Sequence, residues 1–231
     1  MYTPAHFAED RLPVLQSLMR DYPLATLVTL TAGGLVANHI PLSFIPATTQ
    51  GAPSGDVPGT VPIGTLRGHV ARANPVWRDL DPAADVLVIF QGPQAYVSPS
   101  WYPSKREHGR VVPTWNYAVV HAHGRLHVRD DAAWAHALVD GLTREHEAAR
   151  PAPWSVDDAP ADYVATLTAA IVGIEIAVTR LAGKWKTSGN QPAANRAGVA
   201  EGLAASASES DRRMARLIAA HDAPPQEDPG R

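Results

Sequence analysis

The spacing of apolar residues predicts an opening helix followed by a series of strands. Leu12, Leu15 and Leu18 recur at helical spacing, which predicts a helix over residues 10–21 that ends before Pro23. Later runs are rich in apolar and β-branched residues, and these runs predict strands. The predicted strands span residues 24–30, 35–44, 61–70, 85–97, 114–129 and 171–179.

Helices are predicted in the second half of the chain. One is expected over residues 131–147, and another begins near Pro160 with Asp158 as its cap. Beyond Gly189 the chain is rich in alanine and is predicted to be helical, with a break over residues 206–210.

Two internal stretches and the C-terminus lack this periodicity. Residues 46–60 are rich in Gly, Pro, Thr and Ser and predict a mobile loop; residues 98–112 predict a second long loop. The last residues, 223–231, are expected to fray. Six or seven strands joined mostly by hairpins, with helices at the periphery, indicate a mainly β protein with an antiparallel barrel or sandwich (a β+α architecture).

Composition narrows the class of protein. The chain has 231 residues and a net charge of -3, and this mildly acidic balance lacks the overall footprint of a nucleic-acid binder. It has no cysteine, which excludes disulfides, thiolate zinc sites, iron–sulfur clusters and a cysteine nucleophile. Neither a membrane-spanning run nor a signal peptide is visible, so a cytoplasmic protein without membrane contact is expected.

Several common site motifs are missing from the sequence. There is no Gly-x-Gly-x-x-Gly after a strand, no P-loop and no Gly-x-Ser-x-Gly elbow. A Rossmann dinucleotide site, a P-loop nucleotide site and an α/β-hydrolase nucleophile are therefore not supported.

The densest group of aromatic and hydroxyl side chains lies between residues 92 and 117. Aromatic rings beside hydroxyl groups suit a flat heteroaromatic ligand, which stacks on the rings and forms hydrogen bonds along its edges. The alternative is that these rings cap one end of a barrel. The candidate ligand contacts here are Ser98, Ser100, Trp101, Thr114, Trp115 and Asn116.

A second candidate site lies at the end of the strand over residues 61–70. Arg67 and His69 point to one side of that strand, and Arg72 and Asn74 follow where the chain turns. Guanidinium and amide groups can donate several hydrogen bonds to a phosphate. The alternative is that each arginine pairs with a surface carboxylate.

A third candidate site directly follows the last predicted strand. Lys184, Trp185 and Lys186 place two cations beside an indole, and Gly183 and Gly189 predict a loop with unusual backbone angles. Such a loop could approach a phosphate or an anionic ring edge. The alternative is an ordinary solvated basic turn.

Histidines on the strand over residues 114–129 raise the question of a metal site. His121, His123 and His127 share one face of that strand, and histidines on one face can chelate. No carboxylate stands at a matching short spacing, so no metal is predicted.

Several motifs, taken in order, resemble the PaiB-type FMN-binding negative transcriptional regulators. The resemblance runs from residue 1 to about 205. Its motifs are residues 2–7 (YTPAHF), 37–42 (ANHIPL), 67–75 (RGHVARANP), 90–93 (FQGP), 96–103 (YVSPSWYP), 112–117 (VPTWNY) and 183–186 (GKWK).

This resemblance implies an FMN-binding split β-barrel of antiparallel Greek-key type, over residues 1–205, followed by a C-terminal helix and flexible tail over 206–231. It implies a homodimer with the flavin between the subunits. The implied FMN contacts are Arg67, His69, Arg72, Asn74, Ser98, Ser100, Trp101, Thr114, Trp115, Asn116, Lys184, Trp185 and Lys186. His69 and Tyr117 are the catalytic candidates.

The resemblance implies a transcriptional regulator with flavin-dependent redox or sensing capacity. One alternative is an FMN-dependent oxidoreductase, using NAD(P)H or a small redox substrate, with no role on DNA. Another is a haem-binding split barrel. DNA binding follows from the family name and receives no support from charge or from a helix-turn-helix motif.

Overall fold

The computed structural model describes residues 1–47 and 62–222. Most of the predicted loop over residues 46–60 and the predicted tail over 223–231 lie outside the described residues. The strands are β1 (Ala8–Glu9), β2 (Leu24–Thr31), β3 (Gly34–Pro41), β4 (Ser43–Pro46), β5 (Gly64–Ala71), β6 (Val86–Val97), β7 (Thr114–Arg129) and β8 (Ile171–Lys186). The helices are α1 (Leu12–Asp21), α2 (Val76–Asp79), α3 (Ser104–His108), α4 (Ala132–Glu147), α5 (Ala161–Ala169), α6 (Ala193–Ala204) and α7 (Glu209–Asp222). The prediction of a mainly β protein with peripheral helices is confirmed.

The sheet is built from antiparallel pairs. Its strand order is β3-β2-β6-β7-β8-β5-β4, and β1 pairs with the end of β8. Strand β2 pairs with β3 along its full length, from Leu24 opposite Pro41 to Thr31 opposite Gly34. Strand β5 pairs antiparallel with the first half of β8, with Arg67 opposite Glu175.

Two loop and strand predictions differ from the structure. The strand predicted over residues 35–44 is interrupted at Leu42, whose side chain is buried and whose N–H donates to the Pro23 carbonyl at 3.0 Å. The loop predicted over residues 98–112 contains a turn of 3-10 helix, Pro99–Trp101, and then α3.

The predicted loop around Lys184 is wrong. Strand β8 continues to Lys186 because Ala8 and Glu9 of β1 pair with Lys184 and Gly183. Gly183 has no positive φ; it is required by space, since a Cβ there would lie 2.4 Å from the Glu9 carbonyl oxygen. In the segment that follows β8, the residue with a positive φ is Ser188, at 62°.

The predicted cap of α5 is also wrong. Pro160 occupies the N-cap position of α5 without a side-chain hydrogen bond. The Asp158 carboxylate instead accepts from the backbone N–H of Ser155 at 2.8 Å, and so stabilises the preceding turn of 3-10 helix, Val156–Asp158.

Two compact units divide the chain, and β6, β7 and β8 each contribute residues to both. The first unit contains residues 1–15, 91–120 and those from 182 onward; the second contains 16–90 and 121–181. In the second unit the largest fully buried side chains include Leu27, Leu66, Phe90, Ile174 and Ile176. None of the helices within the described ranges is long and apolar enough to span a bilayer.

The core of the first unit joins its strands to the C-terminal helices. Val97 and Tyr102 pack with Leu203 of α6 and with Met214 and Ile218 of α7. Helices α6 and α7, which lie before and after residue 205, therefore pack into the same core. The division of the chain into a domain over 1–205 and a C-terminal appendage stays a prediction.

Trp101 lies against two glycines of α6. A Cβ at Gly202 would lie 2.4 Å from the Trp101 ring, and a Cβ at Gly198 would lie 2.1 Å from the Trp101 carbonyl oxygen. The indole is thus held against α6 by helix positions that tolerate only glycine.

Substitution of Gly202 by valine is expected to destabilise the protein. The new side chain must displace the Trp101 ring, and forcing extra carbons into a packed contact costs about 1–3 kcal/mol of the free energy of unfolding. Gly141→Val in α4 is the matched control, because a Cβ there meets nothing within 4 Å. Urea unfolding would check this; equal stability of the two variants would contradict the packing argument.

Candidate functional site

The two lysines at the end of β8 form a cationic cluster with residues of β7 in the first unit. We call Lys184, Lys186, Thr114, Trp115 and Asn116 the lysine cluster. Lys184 and Lys186 are two residues apart on one strand, so their side chains leave the same face of β8. Trp185 lies between them on the opposite face and is buried.

Lys186 is held by two oxygens of β7. Its Nζ donates to the Thr114 Oγ1 at 2.5 Å and to the Trp115 carbonyl oxygen at 2.5 Å. Burial lowers the pKa of Lys186 below its usual value, and the nearby charge of Lys184 lowers it further. An anion beside this ammonium would relieve both effects.

Lys184 is buried against two tyrosine rings. Its Nζ donates to the Tyr2 carbonyl oxygen at 3.0 Å and lies 5.8 Å and 5.4 Å from the ring centres of Tyr2 and Tyr117. Cation–π contacts and a carbonyl compensate only part of the desolvation of an ammonium. Among the described residues, neither Lys184 nor Lys186 forms an ion pair with a carboxylate.

Polar atoms without partners lie beside the lysines. The Asn116 Nδ2 donates to the Ser188 Oγ at 2.9 Å, but the Asn116 Oδ1 is buried without a hydrogen-bond partner. The Thr187 Oγ1 is buried and unpartnered as well. Buried polar groups are normally paired, so each of these two oxygens can accept a hydrogen bond from a ligand bound beside it.

Exposed aromatic surface adjoins the same strand. The rings of Tyr96 and Trp115 meet edge to face with their centres 6.1 Å apart, and the two residues are 48% and 54% exposed. Ser98 caps the 3-10 helix, accepting from the Ser100 N–H, and the Ser100 Oγ accepts from the exposed Lys105 at 3.3 Å. An exposed indole beside cations suits a flat anionic ligand.

Arg72, in the second unit, is held by protein groups. Its guanidinium forms two hydrogen bonds with Asp130, at 3.0 and 2.6 Å, and donates to the carbonyl oxygens of Ala169 and Ile171. The hydrogen bond to Asp130 raises the pKa of Arg72. This is the arrangement that the salt-bridge alternative predicts, while the assignment of Arg72 to a phosphate stays a prediction.

Asn74 and Arg67 also have protein partners. The Asn74 Nδ2 donates to the Asn38 Oδ1 at 2.8 Å, and its Oδ1 accepts from the Val76 N–H. Arg67 donates to the buried Glu175 at 2.8 Å, and Arg129 donates to the other oxygen of the same carboxylate at 2.6 Å. Two guanidiniums therefore share one carboxylate.

His69 differs from these neighbours because no polar partner of its ring is found in the described part of the chain. Its Nδ1 is buried without a hydrogen bond, and burial lowers the pKa of the imidazole. The ring lines two cavities of the second unit, of 480 Å³ and 350 Å³. Tyr117, the other catalytic candidate, contacts Lys184 in the first unit.

The histidines of β7 do not form a metal centre in the described part of the chain. The rings of His121 and His123 lie 6.5 Å apart, and burial lowers the pKa of both. Across residues 1–47 and 62–222, no three His, Asp or Glu side chains come together as a ligand set.

The structure thus groups the predicted site residues by unit. Thr114, Trp115 and Asn116 come together with the end of β8, whereas the residues of the segment 67–74 lie in the other unit. Sequence reasoning missed Thr187 and Ser188, since Thr-Ser-Gly is typical of a solvated turn. It also missed Glu175. A carboxylate inside an apolar run is expected to be buried and paired, and this was the signal that could have found it.

Comparison with known protein families gives a match over most of the chain. A family model described as "Putative FMN-binding domain" matches residues 1–180. An uncharacterized protein of Aspergillus fumigatus is 36% identical over 240 residues, covering 88% of this chain and 90% of that protein. The protease synthase and sporulation protein PAI 2 of Bacillus subtilis is 30% identical over 218 residues, covering 94% of this chain and 96% of that protein.

Solved structures share the fold at low sequence identity. The flavocytochrome Anf3 of Azotobacter vinelandii matches with a TM-score of 0.51 and 12% identity, covering 78% of this chain and 69% of that chain. The conserved protein Rv2991 of Mycobacterium tuberculosis matches with a TM-score of 0.52 and 10% identity, covering 83% and 94% of the two chains.

Proposed function

The chain belongs to the family of FMN-binding domains that matches residues 1–180, and on this premise we propose that it is a flavin-dependent redox protein, a reductase or a redox sensor. Its fold is the flavin-binding split barrel, and FMN is its cofactor. When bound, FMN supplies hydride or single-electron transfer, and the protein supplies binding and electrostatics.

The lysine cluster fits FMN by the chemistry of its groups. The FMN phosphate carries nearly two negative charges, and Lys184 and Lys186 are cations without a carboxylate partner in the described structure. The Asn116 Oδ1 has no partner and can accept a hydrogen bond, which a ribityl hydroxyl or a ring N–H of FMN would donate. One buried and one half-buried cation beside a buried, unpartnered acceptor are together the observation that carries the proposal.

We assign a role to each group of the lysine cluster. Lys186 and Lys184 bind the phosphate, Asn116 orients the cofactor, and the exposed Trp115 face covers its ring. Thr114 and the Trp115 carbonyl hold Lys186 in place through hydrogen bonds of 2.5 Å. Ser98, Ser100 and Trp101 shape the adjoining wall.

The absorption spectrum of the purified protein tests this function. Flavin bands should be present after purification or appear when FMN is added. Bleaching by NADPH without oxygen would support the reductase activity, and retained colour without bleaching would remove that activity alone. A colourless protein that takes up no FMN would contradict the whole proposal.

The proposal includes a homodimer. Trp115 and Tyr96 expose aromatic surface next to the lysine cluster, and a second subunit would supply the opposite wall of a flavin site. Sedimentation should give twice the mass of the chain. A single subunit in solution would contradict this part.

A transcriptional role is the second candidate. Arg212, Arg213 and Arg216 of α7 all contact Glu209, so three guanidiniums share one carboxylate on an exposed helix face. The hydrogen bonds from Arg213, Arg212 and Arg216 lower the pKa of Glu209 to about 2. Gel shifts with upstream DNA at two salt concentrations would test it; binding that is insensitive to sequence would contradict specific repression.

A further inference from the structure

An apolar cavity of the second unit lies between β5 and the helical segment that follows β7. It has a volume of 480 Å³, within the usual range for small-molecule sites. Its walls include His69 of β5, Val139 of α4, Trp154, and Tyr163 and Leu167 of α5. A neighbouring cavity of 350 Å³ shares His69, Val139 and Trp154 with it.

Three apolar side chains that line this cavity keep much of their surface exposed. The two aromatic ones, Trp154 and Tyr163, are 47% and 56% exposed, and Leu167 is 51% exposed. None of the residues lining the larger cavity carries a carboxylate, an ammonium or a guanidinium. A site with apolar, aromatic and uncharged walls favours a neutral, flat and mostly apolar ligand.

His69 supplies a free polar group to these walls. Its Nδ1 is buried and has no partner, and no hydrogen bond is formed by its Nε2 among the described residues. Because Nε2 is not among the buried unpartnered atoms, it is the ring nitrogen that a ligand can reach. Burial lowers the pKa of His69, so the ring is neutral near pH 7 and can donate or accept one hydrogen bond.

We propose that this cavity binds a neutral, fused or substituted aromatic molecule with one hydroxyl or carbonyl group, which forms a hydrogen bond with the His69 Nε2 while its rings pack against Trp154 and Tyr163. The lining of this cavity includes no residue of the lysine cluster, which binds the charged cofactor in the proposed function. The cavity would recognise its ligand through apolar contacts and one hydrogen bond, without a charged side chain.

Binding of 2-naphthol and of naphthalene to the full-length protein tests the proposal. Both probes should bind in saturable fashion with one site per chain, by calorimetry or ligand-observed NMR. His69→Phe keeps a ring but removes the nitrogen, so affinity for 2-naphthol should fall about fivefold while affinity for naphthalene stays unchanged. Equal effects on the two probes would overturn the role of His69.

Filling the cavity gives the second arm of the test. Val139→Trp should reduce the affinity for both probes at least tenfold, and Ala133→Trp, at an exposed position of the same helix, should leave both affinities unchanged. If Val139→Trp does not fold, Tyr163→Ala removes a wall at an exposed helix position and should weaken both probes. Absence of saturable binding, equal binding by the filled variant, or stoichiometric displacement of the probes by FMN would each overturn the site.

Discussion

Lys186→Met is expected to weaken FMN binding by about 10- to 100-fold. The substitution removes the half-buried cation beside the buried Lys184 and keeps a side chain of similar length, so the packing around Thr114 changes little. A hydrogen bond to a charged group contributes about 1.5–3 kcal/mol, which corresponds to this range of affinity. Fluorescence titration of the apoprotein with FMN would measure the change.

A comparison of riboflavin with FMN shows whether Lys186 binds the phosphate or the ring, because riboflavin has the same ring and no phosphate. If Lys186 binds the phosphate, Lys186→Met should leave the affinity for riboflavin unchanged while that for FMN falls. Lys105→Met is the matched control, because Lys105 is exposed and its ammonium donates to the Ser100 hydroxyl. An equal loss for both flavins would contradict the assignment to the phosphate.

The same titration compares the lysines with the predicted arginine contact. The sequence predicts that Arg72→Ala weakens FMN binding more than Arg144→Ala, since Arg144 lies on an outer helix where it pairs with Asp140. The four contacts of Arg72 with Asp130, Ala169 and Ile171 favour a smaller effect than that of Lys186→Met. A larger loss of FMN affinity for Arg72→Ala than for Lys186→Met would assign the phosphate contact to Arg72, in the second unit.

Removal of the Glu175 carboxylate is expected to cause the largest loss of stability. Its side chain is 5% exposed and lies between Arg67 and Arg129, so Glu175→Ala leaves two partly buried guanidiniums without their shared partner. Breaking such a pair costs about 2–4 kcal/mol, because both arginines keep part of their surface in solvent. Asp130→Ala, which breaks an exposed pair, is the control and should cost much less.

The pH dependence of stability provides an independent check on Glu175. Burial alone would raise the pKa of this carboxyl, but hydrogen bonds from Arg129 and Arg67 outweigh it, so the pKa lies below its usual value. The stabilisation is therefore fully present above the unfolded-state pKa and is lost as the pH falls through the folded-state pKa. Urea unfolding between about pH 3 and pH 7 should show a steeper loss of stability in acid for the wild type than for Glu175→Gln.

Local sequence pattern determined the long elements of this protein. The strand over residues 114–129 has the predicted bounds, and its polar and apolar residues alternate over residues 120–129. Helix α4 begins directly after Asp131, whose side chain caps it, and α6 and α7 are separated at the predicted break. These features depend on residues that are neighbours in the chain.

Contacts between distant segments decided what the pattern could not. Lys184 and Lys186 lie on a strand because β1, near the N-terminus, pairs with the end of β8. Arg72 pairs with a carboxylate 58 residues away in the chain. Arg67 and Arg129 both pair with Glu175, which lies inside an apolar run. No local pattern encodes those pairings.

The sequence by itself determined a mainly β chain, the cofactor family and the groups of residues with the right chemistry. Only the tertiary structure decided which cations are neutralised by carboxylates and which are not. The physical reason is that charge compensation and desolvation depend on distances between side chains, and those distances are set by strand pairing and helix packing rather than by position along the chain.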